Sequence, residues 1–184
     1  NHLSYLDILV LSAITPAVFV AKREVKFWPI LGSFAVLAGT VFVDRERRTR
    51  VGKAVDEMGD VLKAGVVTVL FPEGTSSDGR TVLPFKSSVL EPAIKTSCPL
   101  SVCRLGYELE DGDPTEEVCY WKDMTLVPHL LNLLTKSCIK VSIRFAETRQ
   151  HRANRKELAE MQEWDVSPRP DRDRPRGNRR GAGA

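Results

Sequence analysis

The sequence predicts an α/β fold: a single domain with a mostly parallel or mixed central sheet flanked by helices. Two patterns carry that expectation. Short apolar runs rich in β-branched residues recur at 17–21, 40–43, 66–71, 100–107 and 139–145, each bounded by Gly, Pro or charged residues. Between them, apolar residues fall at helical spacing. The clearest case is Val51, Ala54, Val55, Met58, Val61 and Leu62, which lie on one face of a helix.

Taken in order, Ser4-x-x-Asp7 reads as a capping box opening a helix through Ile14, which Pro16 ends. A strand at 17–21 stops at Lys22 and Arg23. One helix is expected over 24–37, with Trp28-Pro29 near its start or at a kink, and then a strand at 40–43. The long amphipathic helix ends at Gly65. A buried-type strand at 66–71 leads into a polar loop from Pro72 to Pro84, and a short helix at 88–95 precedes the strand at 100–107. Asp111-Gly112-Asp113-Pro114 is a turn signal, and 118–121 suits an edge strand. A helix at 126–136 tolerates Pro128 in its first turn. Residues 139–145 alternate as a half-exposed strand does. A last helix is expected at 153–164. The domain is expected to cover 1–166, leaving 167–184 as a disordered Arg/Pro/Gly-rich tail.

A chain of 184 residues with 42% hydrophobic and 28% charged content suits one soluble globular domain. Its net charge of +3 belongs to the tail, where six arginines face two aspartates in 168–184; the rest of the chain carries −1. No nucleic-acid partner is expected, since the tail lacks aromatics to stack bases. Cys98, Cys103, Cys119 and Cys138 show neither a CxxC nor a metal-ligand spacing and read as free thiols. The longest uncharged stretch, 27–43, is short for a membrane span and is broken by Pro29, Gly32 and Gly39. The chain starts without methionine, inside what looks like a motif, and reads as a fragment.

The candidate chemistry begins at His2 and Asp7. An imidazole exchanges a proton near neutral pH, and a carboxylate can hold its tautomer. Five positions apart, they converge only if His2 lies in the loop and Asp7 in the first helical turn. The alternative is a helix-capping aspartate beside a loose histidine. Further polar residues follow strands: Arg45 after 40–43, and Glu73, Gly74 and Thr75 after 66–71. In open α/β sheets such positions line the ligand crevice. Gly74 lets backbone approach a ligand, Thr75 offers a hydroxyl, and Arg45 can fork onto a phosphate. Arg80 and Lys86 add positive charge to the same loop. Plain readings stand beside these: an Arg45 salt bridge to Glu73 or Asp44, a simple turn at Gly74, and a solvated loop at Arg80 and Lys86. No GxSxG, GxGxxG or GxxxxGK[ST] motif occurs, and His129 and His151 lack a second ligand at metal spacing.

Four blocks in order resemble the phospholipid/glycerol acyltransferase family, of the lysophosphatidic acid acyltransferase type. They are Asn1-His2-x-Ser4-x-x-Asp7, the segment from Gly39 to Arg45, Phe71-Pro72-Glu73-Gly74-Thr75 continued by Asp78-Gly79-Arg80 and Leu83-Pro84-Phe85-Lys86, and a weaker proline-led strand at Pro99-Leu100-Ser101-Val102. The resemblance covers about residues 1 to 145. It implies a glycerol-3-phosphate acyltransferase-like fold and acyl transfer from an acyl-CoA or acyl carrier protein thioester to the hydroxyl of a lysolipid, foremost 1-acyl-glycerol-3-phosphate, in phospholipid biosynthesis. His2 would be the general base and Asp7 its orienting carboxylate. Arg45, Glu73, Gly74 and Thr75 would form the acceptor head-group site, with Lys86 a second cation.

No metal or other cofactor is implied beyond the acyl donor itself. Many family members carry arginine where this chain has Ser76, which brings a lyso-ornithine lipid or another lysolipid into view as acceptor. The substrate implies a membrane surface as partner, with the apolar stretch 27–37 and its flanking Lys22, Arg23 and Lys26 as the docking face, or else as a buried helix on the sheet. The expected location is the cytoplasmic face of a membrane, peripheral or anchored by a segment upstream of this fragment. A non-catalytic lipid-binding module and a thioester hydrolase are the competing readings.

Overall fold

The computed structural model describes residues 1–29, 31–37, 39–43, 48–146 and 156. The predicted helix 153–164, apart from Lys156, and the predicted tail 167–184 lie outside the described residues, as does Arg45.

The chain alternates helix and strand through its first half. Helix α1 (Leu6–Ile14) leads to β1 (Val18–Lys22), a 3₁₀ segment (Arg23–Phe27), α2 (Leu31–Leu37), β2 (Val41–Val43), α3 (Arg48–Lys63) and β3 (Thr68–Val69). The three strands form a parallel sheet in the order β2-β1-β3. Val20 stands opposite Val41 and Phe19 opposite Val69. Parallel neighbours need long crossovers, and α2 and α3 supply them. β3 is shorter than the run 66–71 suggests, although the Val18 N–H donates to Val67 O at 2.9 Å and extends the pairing by one residue.

After a 3₁₀ turn (Ser87–Leu90) and α4 (Glu91–Lys95), the second half builds a two-stranded antiparallel ribbon from β4 (Val102–Leu109) and β5 (Ile139–Ala146). Between these strands lie α5 (Pro114–Glu117) and α6 (Leu126–Leu134). The main core gathers Leu3, Leu11, Phe19, Leu105, Val118 and Leu133, so it joins the amino-terminal loop, the parallel sheet, the ribbon and α6. A smaller cluster forms around Leu90.

Three local expectations change. The single helix over 24–37 is two pieces, because Trp28, held extended (φ −69°, ψ 136°) by the proline after it, interrupts the helical run. Gly32 is needed here, since a Cβ at that position would lie 2.3 Å from the Lys26 carbonyl oxygen. Residues 118–121 are not an edge strand. Val118 closes α5, and the Tyr120 N–H donates to Leu3 O at 2.8 Å. The capping box at Ser4 is half-formed. The Asp7 carboxylate accepts from the Ser4 N–H at 3.2 Å, but the buried Ser4 hydroxyl has no hydrogen-bond partner among the described residues.

Candidate active site

Two loops and one strand build the site. The first loop, residues 1–5, enters α1 so that Asp7 falls in the first helical turn, where negative charge is favoured. Asp7 is fully buried, and its Oδ2 accepts from His2 Nδ1 at 2.7 Å, from the Leu3 N–H at 2.7 Å and from the Ser4 N–H at 3.2 Å. Its Oδ1 accepts from the Tyr107 hydroxyl at 2.6 Å. Four donors fix the carboxylate in one orientation. Facing it, His2 Nδ1 carries the proton, which leaves the Nε2 lone pair as the free basic position. The His2 side chain is 19% exposed, so part of it remains open to solvent. Tyr107 is buried on β4, and desolvation, followed by the charge of Asp7, holds its phenol far above the ordinary tyrosine value. It is a donor throughout the working pH range.

The second loop follows β3. Phe71 stacks on the His2 ring, with centroids 4.0 Å apart and planes inclined by 19°. Gly74, at φ +75°, closes a turn in which its N–H donates to Phe71 O at 3.0 Å. Glu73 is 2% exposed, and both its oxygens are engaged: Oε1 accepts from the His2 N–H at 2.7 Å and Oε2 from the Leu83 N–H at 2.8 Å. Burial pushes its carboxyl above the usual range, outweighing the two N–H donors that favour the anion. The loop also meets the first one at Ser77, whose N–H donates to His2 O at 3.0 Å.

β4 grips the first loop from the other side. The Asn1 side chain behaves as a strand partner, accepting from the Leu105 N–H at 2.7 Å and donating to Leu105 O at 2.9 Å. Behind the dyad, His129 on α6 links to Tyr5. A carbonyl only accepts, so His129 Nε2 donates to Cys119 O (3.2 Å) and Nδ1 accepts the Tyr5 hydroxyl proton (2.9 Å). Burial lowers the His129 pKa and keeps it neutral.

His2, Asp7, Glu73 and Gly74 are therefore brought together. Thr75 is exposed beside them. Lys86 is exposed, and its N–H donates to Pro72 O at 2.9 Å, which closes the loop next to Glu73. Arg80 is 67% exposed and pairs with Asp78 at 3.9 Å, as a solvated loop residue does. Sequence reasoning gave no role to Phe71, Tyr107 or Asn1. The alternation along β4, which turns positions 105 and 107 to the same face, was a usable signal for Tyr107: an inward tyrosine needs a partner for its hydroxyl.

Residues 1–106 match the family model described as Acyltransferase. The chain belongs to the acyltransferase family. Similar family members include a lyso-ornithine lipid O-acyltransferase from Rhizobium meliloti, 38% identical over 88% of this chain and 60% of the relative. A 1-acyl-sn-glycerol-3-phosphate acyltransferase from Neisseria gonorrhoeae is 33% identical over 79% of this chain and 56% of its own length. The chain thus spans about 60% of the length of such relatives. The crystal structure of the 1-acyl-sn-glycerophosphate acyltransferase PlsC from Thermotoga maritima superposes with a TM-score of 0.53 at 24% identity, covering 89% of this chain and 61% of that one. That likeness supports the α/β fold with its parallel sheet.

Proposed function

We propose that the protein is an O-acyltransferase that moves a fatty acyl group from an acyl-CoA or acyl carrier protein thioester to the hydroxyl of a lysolipid. The observation that carries this reading is the joining of the two blocks. His2 is oriented by Asp7 through Nδ1, stacked on Phe71, and held at its N–H by Glu73.

In the proposed reaction, the free Nε2 of His2 takes the proton from the acceptor hydroxyl as its oxygen attacks the thioester carbonyl carbon. Asp7 stabilises the imidazolium that forms, as a carboxylate does in a hydrolase triad. The tetrahedral intermediate collapses with cleavage of the C–S bond, and the sulfur leaves as a thiol with the proton from His2. The acceptor itself is the nucleophile, so no acyl-enzyme is required. Glu73 acts in this scheme as the clamp on His2, while Thr75, Lys86 and Arg45 are proposed to face the acceptor head group, with Arg45 on its phosphate.

The leading acceptor is 1-acyl-sn-glycerol-3-phosphate, the compound named for several relatives. A lyso-ornithine lipid is the second reading, supported by the names of two relatives at 38% identity and by Ser76. That uncharged side chain donates to Tyr120 O and lends no cation to a phosphate. The membrane surface is the proposed site of action, on its cytoplasmic face. Phe27 is 73% and Leu37 83% exposed, and Lys22, Arg23 and Lys26 flank them. Among the described residues no helix is long and apolar enough to cross a membrane.

A labelled acyl-donor assay on the full-length protein against a panel of lysolipids tests the reading. Acceptor-dependent release of thiol with formation of the diacyl product is expected. Arg45→Ala should raise KM most for the phosphate-bearing acceptor. Thiol release without any acceptor would mean a hydrolase, and lipid binding without turnover a binding module.

A further inference from the structure

We propose that Tyr107 is a positioning residue that sets the proton affinity of His2 through Asp7. The inference rests on the acyl-transfer reading only for its consequence, not for its geometry. The Oδ2 atom of Asp7 serves three donors from its own loop, and among the described residues Tyr107 supplies the hydrogen bond to Oδ1. Asp7 has no exposed surface, so water cannot replace the phenol without rearrangement.

Each donor draws charge from the carboxylate and weakens its hold on the imidazolium. A carboxylate deprived of the phenol turns its unspent basicity on the remaining partner able to carry a positive charge, His2. Proton affinity at His2 then rises, and the base spends more of its time protonated at a given pH. The phenol also fixes the carboxylate plane, since a bond on each oxygen prevents rotation about the last torsion. β4 therefore contributes at two positions: Leu105 seats the loop through Asn1, and Tyr107 tunes what the loop carries.

Around the dyad, Arg104 on β4 and Asp78 on the loop after β3 add charge, and three further groups titrate: Glu73 on that loop, Cys103 on β4 and Cys119 after α5. Burial pushes all three toward their neutral forms, Cys119 to about 12. Of these, Cys119 also interacts with Tyr107, and its thiol stays neutral with or without the phenol because burial is the first cause of its shift. A tyrosine that merely fills the core and satisfies its own hydroxyl would leave the His2 titration where it is.

The test is a ¹⁵N-imidazole titration of the full-length protein, with the His2 signal assigned by its loss in His2→Gln. In Tyr107→Phe the His2 pKa should rise by about half a unit, roughly threefold in proton affinity. The acid limb of the kcat/KM profile should move with it, and KM should hold within about twofold. A folded Tyr107→Phe with an unchanged His2 titration would overturn the proposal. As a route independent of that variant's folding, 3-fluorotyrosine at position 107 keeps the ring and makes the phenol a stronger donor. It should move the His2 pKa down, and no movement would again overturn the proposal. If His2 shifts as expected while the wild type shows no acyl transfer to any lysolipid, the Tyr107 inference is supported and the functional reading fails alone.

Discussion

Removing Glu73 should damage stability and turnover together, because this side chain holds backbone at both of its oxygens. Its two oxygens accept from the N–H groups of His2 and Leu83 at 2.7 and 2.8 Å, and the residue is 2% exposed. Glu73→Ala strands both donors in a site that water reaches poorly. Each unsatisfied buried donor costs about 1–3 kcal/mol, so the variant should lose about 2–6 kcal/mol. That is a large share of a typical domain stability of about 5–15 kcal/mol. His2 also loses the anchor on its own N–H, and a misplacement of about 1 Å at a reacting group costs on the order of 100-fold in rate.

Glu73→Gln is expected to rescue only in part, since its amide keeps one acceptor and points an NH₂ at the other N–H. The pH dependence has a fixed sign. Burial raises the folded pKa of this acid above its ordinary 4.5, so its contribution to stability is full below that value and is lost as pH rises through the raised one. The stability gap between wild type and Glu73→Gln should therefore be widest near pH 4 and narrow toward neutrality. Chemical denaturation followed by circular dichroism, with kcat measured on the same samples, checks both parts. A Glu73→Ala protein within about 0.5 kcal/mol of wild type, with kcat intact and only the acceptor KM raised, would refute this reasoning and place the carboxylate on the head group.

His2→Ala in the full-length protein should lower acyl transfer by about 10²–10⁴-fold, the range of a lost general base, with an unfolding midpoint close to wild type; ordinary turnover would remove His2 from the chemistry. Ser4→Ala separates two accounts of the helix start. A working cap would cost about 1 kcal/mol on removal, whereas a buried hydroxyl without a partner should be neutral or better to lose, and denaturation decides between them. His129 has a lowered folded pKa, so its contribution to stability is present above the ordinary value of 6.5 and is lost as pH falls below it. Thermal midpoints between pH 7.5 and 5.5 should fall more steeply for wild type than for His129→Gln, and parallel slopes would contradict the burial argument.

Much of the site was legible because its parts are local. The Asp7 side chain reaches His2 within one loop and one helical turn, and Phe71-Pro72-Glu73-Gly74-Thr75 makes its own turn through a left-handed glycine. The parallel sheet was legible for a similar reason: apolar runs and helical periods alternate. The rest depends on contacts between distant segments. Nothing near Glu73 in the chain indicates that its oxygens will meet the N–H of His2, 71 positions away. Residues 118–121 have a strand's composition, but the Val118 and Cys119 N–H groups donate to Pro114 O, that of Tyr120 to Leu3 O in the amino-terminal loop, and the side chains pack in or against the core. The break at Trp28 is local, and the proline after it was the available sign.

The Asn1 amide spans 104 positions to reach Leu105. Closing a loop of that size costs roughly 4 kcal/mol of chain entropy, and the bonds that Asn1 and Asp7 make to β4 repay it only once that strand is in place. Chemical competence must then arrive late on the folding route, after helices that form on their own schedule. Recovered turnover during refolding should lag behind recovered helicity, and a chain still emerging from the ribosome would carry the motif without the reactivity.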